Sequence, residues 1–333
     1  MKKLLLTTGL VSGLLMSASA MAEVKVGGSI EMNYGSTETA TTGTKNSGPG
    51  SLTFETELDI SSKKELDNGM TLGLHMEMMD STLGDIGMRF SSGNTTFYMG
   101  TDDMDAADNY AVPVVGDLLN DTLINGNNFD GNKGTIHGNS AFGLEFKDIA
   151  GGTITALYAP TGSSGNGSDG NAGQLASSGS AYEVGYNGNA GIDGLTVQLA
   201  YANNQSADST STAGDATVTQ VGAAYNFGSI AVGAQYNDFE GADPRGGAND
   251  DDQEHTGMGV TFAVNDQITL GAEITKVKFA DTDLTSDEDG RSIGVGYNLG
   301  GVSVTAQLLE VQNSGGTANK DSEAFMIRIK QSF

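Results

Sequence analysis

The residue types most often used in catalysis are scarce in this chain and far apart. Its three histidines, His75, His137 and His255, are too scattered in sequence to suggest a shared metal site. Cysteine is absent, which excludes a disulfide framework, a zinc–thiolate site and a cysteine nucleophile. No nucleophile has a base and an orienting acid at a recognisable spacing. The sequence therefore predicts no enzyme, no catalytic residue and no cofactor-binding residue.

Two polar stretches are rich in carboxylates, which are the ligands that calcium prefers. The candidate calcium ligands are Asp250, Asp251, Asp252, Glu254, Asp281, Asp283, Asp287 and Asp289, with Glu288 among them. The twelve-residue calcium-loop spacing of helix–loop–helix proteins is missing. Calcium is therefore the one bound ion that the sequence suggests. A solvated acidic surface without a bound ion explains both stretches equally well.

The acidic net charge of the chain argues against nucleic acid as a binding partner. The formal net charge is -26, from 42 Asp and Glu against 16 Lys and Arg. A nucleic-acid-binding protein needs a basic face, which these few cations cannot supply. Hydrophobic residues make up 37% of the chain, which is too many for a disordered protein and too few for membrane-spanning helices.

The first 22 residues have the pattern of a secretory signal peptide. Lys2 and Lys3 precede an apolar stretch, and Ala20-Met21-Ala22 matches the small-residue pattern before a cleavage site. We therefore expect a cleaved signal over residues 1–22 and a mature domain over 23–333. Export without cysteine suits the periplasm or the outer membrane of a Gram-negative cell, and we expect the outer membrane.

After residue 22 the chain repeatedly alternates between apolar and polar residues. In residues 291–298, Ile293, Val295 and Tyr297 share one face, while Gly294 lies on the other. A period of two residues is typical of a β-strand with one apolar face. Alternation and turn residues together predict sixteen strands, joined in turn by short connections and long polar loops. The long loops fall at about residues 36–49, 102–137, 160–179, 204–215, 240–254, 280–290 and 313–321.

An even strand number with short connections at one end and long loops at the other is typical of outer-membrane barrels. A soluble β-sandwich also alternates, but its two ends carry loops of similar length. Aromatic residues also concentrate near predicted strand ends, as in the girdles of membrane barrels. These are Tyr34, Tyr158, Tyr186, Tyr225, Phe227 and Tyr297. The predicted fold is all-β, a 16-stranded antiparallel transmembrane β-barrel.

The last strand ends the chain with an aromatic residue. Phe325, Ile327, Ile329 and Phe333 share one face, although Gln331 departs from the apolar residue usual two places before the end. Further features are the start Glu23-Val24-Lys25-Val26, the turn Asp67-Asn68-Gly69 and the run Ala224-Tyr225-Asn226-Phe227-Gly228. Together they resemble a Gram-negative general diffusion porin, and most closely the alphaproteobacterial, Rhodobacter-type outer-membrane porins.

This resemblance implies a homotrimer in outer-membrane lipid, with the third loop folded into the barrel to narrow it. Residues 102–137 follow the fifth predicted strand, where that family places the constriction loop, but they lack the Pro-Glu-Phe-Gly-Gly motif of other porin branches. The acidic constriction residues would be Asp102, Asp103, Asp105, Asp108, Asp117 and Asp121. The apolar segment 111–115 would pack against the barrel wall.

General porins oppose such a loop to a basic wall, for which Arg89, Arg328 and His75 are the mid-wall candidates here. Projection of the polar faces also predicts acids on the lumen wall, at Glu31, Glu55, Glu57, Asp59, Glu77, Asp85, Glu145, Glu183 and Glu273. Negative charge in a narrow passage attracts cations. The predicted function is a cation-preferring, water-filled channel for passive diffusion of small hydrophilic solutes. The alternatives are a substrate-selective channel and a secreted β-rich structural or adhesive protein.

Overall fold

The computed structural model describes residues 23–41, 44–47, 50–80, 82–100, 141–159, 180–204, 216–240, 252–280 and 286–333. In this part of the chain no helix is long and apolar enough to cross a membrane. The strands are β1 (Glu23–Thr41), β2 (Thr44–Ser47), β3 (Ser51–Glu65), β4 (Thr71–Met79), β5 (Thr82–Ser92), β6 (Thr95–Gly100), β7 (Ala141–Ile149), β8 (Gly152–Ala159), β9 (Ala181–Gly188), β10 (Leu195–Asn204), β11 (Ala216–Asn226), β12 (Ile230–Glu240), β13 (Gln253–Ala263), β14 (Ile268–Phe279), β15 (Glu288–Asn298), β16 (Val302–Gln312) and β17 (Lys320–Ser332). A single turn of 3-10 helix covers Ser314–Gly316.

The strands form one closed antiparallel sheet. Each strand pairs with its neighbours in sequence, and β1 closes the ring by pairing with β17. Both β2 and β3 pair with β1 on its other side, so they occupy one position and the barrel has sixteen. At the seam, the backbone N–H of Gly28 donates to the Phe333 carbonyl and that of Phe333 donates to the Gly28 carbonyl, at 3.2 and 3.0 Å. The predicted sixteen-stranded antiparallel barrel is confirmed.

Short turns join the strands at the end of the barrel that also holds Glu23 and Phe333, here called the turn end. Asparagine side chains fold several of these turns, because their carbonyl oxygen accepts a backbone N–H two residues later. Asn226 Oδ1 accepts from Gly228 at 2.7 Å, and Asn298 Oδ1 accepts from Gly300 at 2.8 Å. These two glycines have φ of 94° and 76°, which a residue with a Cβ adopts only with strain. The predicted turns are therefore present.

The strands extend further toward the opposite, loop end than the sequence predicts. The prediction of a loop at 36–49 is wrong, because β1 continues to Thr41 and pairs there with both β2 and β17. Similarly, β15 begins at Glu288 and β17 at Lys320, inside predicted loops. Segment 36–41 is polar and rich in threonine, which favours strands. Apolar alternation is needed only where a strand meets lipid, so that pattern does not mark this polar extension.

The two faces of the sheet have opposite chemistry. On β15, the side chain of Ile293 points outward and the residue is 58% exposed, whereas the neighbouring Ser292 points inward and is 6% exposed. Apolar residues cover the outward face of the other strands too, for example Phe54 on β3 and Leu308 on β16. Exposed tyrosines, such as Tyr34 near the loop end and Tyr297 near the turn end, border this apolar surface. An outward apolar band between aromatic borders matches the lipid-facing surface of a membrane barrel.

Candidate functional site: the inward face of the barrel

The inward face is the surface that carries polar side chains, because the residues that point outward are mostly apolar. Its polar residues come from alternate positions of every long strand, and many are almost fully buried. The buried ones include Ser29, Glu31, Asp85, Thr96, Glu183, Gln198, Gln220, Gln235, Asn237, Gln253, His255, Glu273, Glu288, Ser292, Thr305, Gln307 and Ser322. The barrel is thus polar inside and apolar outside, the reverse of a soluble β-protein.

Neutral amides form one sector of this wall, on β10, β11 and β12. Gln198 Nε2 donates to Gln220 Oε1 at 3.0 Å, and Gln235 Nε2 donates to Asn237 Oδ1 at 3.2 Å. All four residues are at most 2% exposed. This amide sector was not predicted from the sequence, because only charged residues were assigned to the inward face. The signal was present as glutamine at inward positions of successive strands.

The acids predicted for the lumen wall all lie at inward positions. Glu31, Asp85, Glu183 and Glu273 are buried there, and Glu145 lies beside Lys147 at 2.9 Å. The remaining four, on β3 and β4, are half-buried: Glu55, Glu57, Asp59 and Glu77.

A β-bulge controls the position of Asp85. The pairing of β4 with β5 changes register between Met76 and Met78, so that Gly84 and Asp85 together face Glu77. A bulge of this kind re-aims a side chain. Here Gly84 and Asp85 are both buried on the inward side, while Leu83 and Ile86 are exposed on the outward face. Two carboxylates on neighbouring strands, Glu77 and Asp85, therefore meet on the inner wall.

The three candidates for the basic wall also point inward, but each has a local partner. Arg328 Nε lies 2.9 Å from Glu31 Oε1, and both side chains are largely buried. The guanidinium of Arg89 lies over the ring of Tyr98, 5.5 Å from its centroid. His75 Nε2 lies 3.3 Å from Asp59 Oδ1. Whether these residues face a constriction remains a prediction.

The acidic residues predicted for the constriction, from Asp102 to Asp121, lie outside the described residues, as does His137. Among the predicted calcium ligands, Asp250, Asp251, Asp281 and Asp283 also lie outside them.

Of the calcium candidates that are described, two are already paired with lysines. Glu254 Oε2 accepts from Lys278 Nζ at 2.8 Å, and Asp287 Oδ2 lies 2.9 Å from Lys276 Nζ. Asp252 and Asp289 are exposed. Calcium binding at this end therefore stays a prediction.

One inward patch is apolar, which sequence reasoning did not anticipate. Tyr98 is fully buried and packs with Leu157 on the wall formed by β6 to β9. Alanines complete the patch at Ala141, Ala159 and Ala181. The patch includes Ala141, which follows segment 101–140, and Tyr98 lies two residues before Gly100, which precedes that segment.

Solved structures with the same fold include several outer-membrane proteins. OmpT of Vibrio cholerae has a TM-score of 0.65 at 14% identity, covering 96% of this chain and 99% of its own. A trimer form of the same protein has a TM-score of 0.57 at 15% identity, covering 94% and 99%. An anion-selective porin from Comamonas acidovorans has a TM-score of 0.64 at 15% identity, covering 94% and 100%. A variant of the Rh. blastica porin has a TM-score of 0.59 at 14% identity, covering 93% and 100%.

These identities are low, so the likeness shows a shared fold. No curated protein sequence matches the chain. The profile of one family, Gram-negative porins, matches residues 7–316, which is most of the chain. The polar inward face, the apolar outward band and the closed sixteen-position barrel agree with that match. The resemblance inferred from the sequence is thus confirmed, and this chain belongs to the Gram-negative porin family.

Proposed function

We propose that the barrel is a water-filled channel of the outer membrane through which small hydrophilic solutes and ions diffuse passively. The observation that carries this proposal is the inverted polarity of the barrel, with carboxylates and amides inside and apolar side chains outside. A polar lumen solvates permeating solutes, and an apolar exterior matches lipid. Family and fold favour a channel over an enzyme, and they argue against a secreted structural or adhesive protein.

We further propose that the channel prefers cations. On the described strands, inward acids outnumber inward cations, which include Lys25, Lys63, Arg89, Lys147, Arg328 and Lys330. Several of these cations are neutralised locally, as Arg328 is by Glu31. The unbalanced carboxylates concentrate cations and repel anions in a narrow, low-dielectric passage. This preference would differ from that of the anion-selective Comamonas porin, which has the same fold.

Segment 102–137 is proposed as the constriction loop. The inward apolar patch around Tyr98 and Leu157 supports this, because it offers a docking surface next to both ends of the segment. The apolar stretch 111–115 has the chemistry to cover it. Docking there would bring the aspartates of the segment, Asp105 and Asp108 among them, into the lumen.

The oligomeric state is proposed from a similarly folded protein. We propose a homotrimer, supported by the trimer form of the similarly folded OmpT. Export by a cleaved signal peptide over residues 1–22 remains a prediction, because these residues lie outside the described part of the chain.

Zero-current potential across a planar bilayer tests the cation preference. Under a potassium chloride gradient, a cation-preferring pore makes the dilute side positive. Because the screening length falls from about 8 Å at physiological salt to about 3 Å at 1 M, the potential should approach the unselective value as both solutions are concentrated.

Matched variants test the constriction loop. Replacing Asp105 and Asp108 by Asn should reduce the potential, while the same change at Asp208 and Asp215, in another long loop, should not. Anion preference at low salt would refute the proposed selectivity. Equal effects of the two pairs of substitutions would refute the placement of segment 102–137 at the constriction.

A further inference from the structure

Three metal-ligating side chains meet on the inner wall of β3 and β4. Asp59 and Glu77 are directly paired across these strands, and His75 precedes Glu77 by two residues and so shares its face. One ligand atom of each residue lies within 4.8 Å of those of the other two. His75 Nε2 and Asp59 Oδ1 are 3.3 Å apart.

These distances suit a transition-metal ion. Zinc binds imidazole nitrogen and carboxylate oxygen at about 2.0–2.2 Å, so two ligands on a tetrahedral ion lie roughly 3.3–3.5 Å apart. The histidine and aspartate already have that separation, and Glu77 needs only a small side-chain movement. Both residues of β4 are held by a continuous strand, which fixes their spacing.

The chemistry of the ligand set favours one class of ion. Imidazole suits zinc, copper, nickel and cobalt, whereas magnesium and calcium prefer oxygen ligands alone. Two carboxylates balance the charge of a divalent cation. Further negative charge surrounds the three ligands, since the bulge brings Asp85 inward opposite Glu77, and Glu57 lies two residues from Asp59 on the same face.

Polar groups from the neighbouring strands β1, β3 and β5 surround the three side chains. Glu57 Oε2 accepts a hydrogen bond from Ser29 Oγ at 2.9 Å, which holds Glu57 toward β1. Arg89 on β5 pairs with Gly73 of β4, and its guanidinium lies 5.5 Å from the centroid of the Tyr98 ring. The site is half-buried and faces the barrel interior, so an ion can reach it through the lumen.

We propose that Asp59, His75 and Glu77 bind one divalent transition-metal ion, of the zinc class, on the lumen wall. Solvent completes the coordination shell, since the chain supplies three ligands. The site shares no residue with the candidate calcium ligands and does not depend on the ion selectivity of the pore. In a conducting channel, the bound ion would add positive charge to the wall and reduce cation flow.

Metal titration of the folded barrel in detergent tests this proposal without requiring channel activity. After chelator treatment, calorimetry with zinc chloride should show one saturable site per chain, and magnesium chloride should give no comparable heat. The His75→Gln and Asp59→Asn variants should each weaken zinc binding at least tenfold. Glu183→Gln, which removes an inward carboxylate on β9, should bind as the unmodified protein does.

Copper provides a spectroscopic check on the same protein. Bound Cu²⁺ should show nitrogen hyperfine coupling in its electron paramagnetic resonance spectrum, and His75→Gln should remove that coupling. Heat-modifiable gel mobility confirms that each variant is folded, and Glu77→Gln replaces any variant that is not. The absence of saturable zinc binding, or equal binding by His75→Gln, would overturn the site even if the barrel conducts ions normally.

Discussion

Arginine substitutions on β15 test the assignment of the two faces and the depth of the outward residues. Tyr297 marks the aromatic border at the turn end, and Val295 and Ile293 follow it outward-facing into the apolar band. A strand rises about 3.3 Å per residue and tilts by roughly 35–45° in a membrane barrel. Val295 therefore lies about 5 Å, and Ile293 about 10 Å, deeper than Tyr297. The apolar band is about 25 Å tall, so Ile293 lies near its midplane.

The penalty for arginine depends on this depth. It is about 2–4 kcal/mol at the midplane and about 0–1 kcal/mol near the interfaces. We expect Ile293→Arg to lower the free energy of unfolding by about 2–4 kcal/mol and Val295→Arg by about 1–2 kcal/mol. Gly294 lies between them but faces inward, where it pairs with Gly271 and Gln307. Gly294→Arg should therefore change stability by less than about 1 kcal/mol, because its charge stays in water, and should reduce conductance instead.

Urea titration of the barrel refolded into phospholipid vesicles measures these differences. Because the chain has no tryptophan, far-ultraviolet circular dichroism and gel mobility would report folding. The expected order of stability is Gly294→Arg, then Val295→Arg, then Ile293→Arg. A Gly294→Arg protein as unstable as Ile293→Arg would refute the assignment of faces. Reversal of the other two would refute the depth argument.

Three further outcomes follow from the barrel geometry. An epitope tag at Gly246 should bind antibody on intact cells and one at Gly300 should not, because we expect the loop end to be extracellular; the opposite labelling would reverse the topology. Glu31→Gln removes the carboxylate that pairs with Arg328, so zero-current potentials should show a weaker cation preference. An unchanged potential would mean that the pair does not face the ion path. Deleting Phe333 removes both backbone hydrogen bonds of the seam at Gly28, so less heat-resistant folded barrel should appear on gels, whereas normal yields would show that the seam closes without them.

Much of the barrel could be predicted from the sequence because each membrane strand carries its own signal. Alternation at Ile293, Val295 and Tyr297 identifies both the strand and its outward face. Turn chemistry at Asn226 and Asn298 then fixes where strands end. Local patterns of this kind require no knowledge of which strands are neighbours.

Features that depend on pairing between strands were not predictable in this way. The three histidines are far apart in sequence and so suggest no shared metal site, yet His75 meets Asp59, a carboxylate sixteen positions away, through β3–β4 register. The bulge at Gly84 and Asp85 likewise appears only when β4 and β5 are aligned. The apolar patch around Tyr98 also forms only when β6 to β9 are aligned, because Leu157 and Ala181 come from other strands.

Charged residues are distributed unevenly around the inward wall of the barrel, and this distribution affects the ion selectivity of the proposed channel. From β10 to β13, the inward positions of the described strands carry no Asp, Glu, Lys or Arg, whereas those of β1, β3, β4, β5 and β17 taken together carry both signs. In that charged sector Arg328 Nε lies 2.9 Å from Glu31 Oε1, and the other acids include Asp59, Glu77 and Asp85. These three acids lie on adjacent strands, held there by β3–β4 register and by the bulge on β5. Cation preference in the proposed channel would therefore come from the wall as well as from the loop, and zinc bound at Asp59, His75 and Glu77 would reduce it at its source.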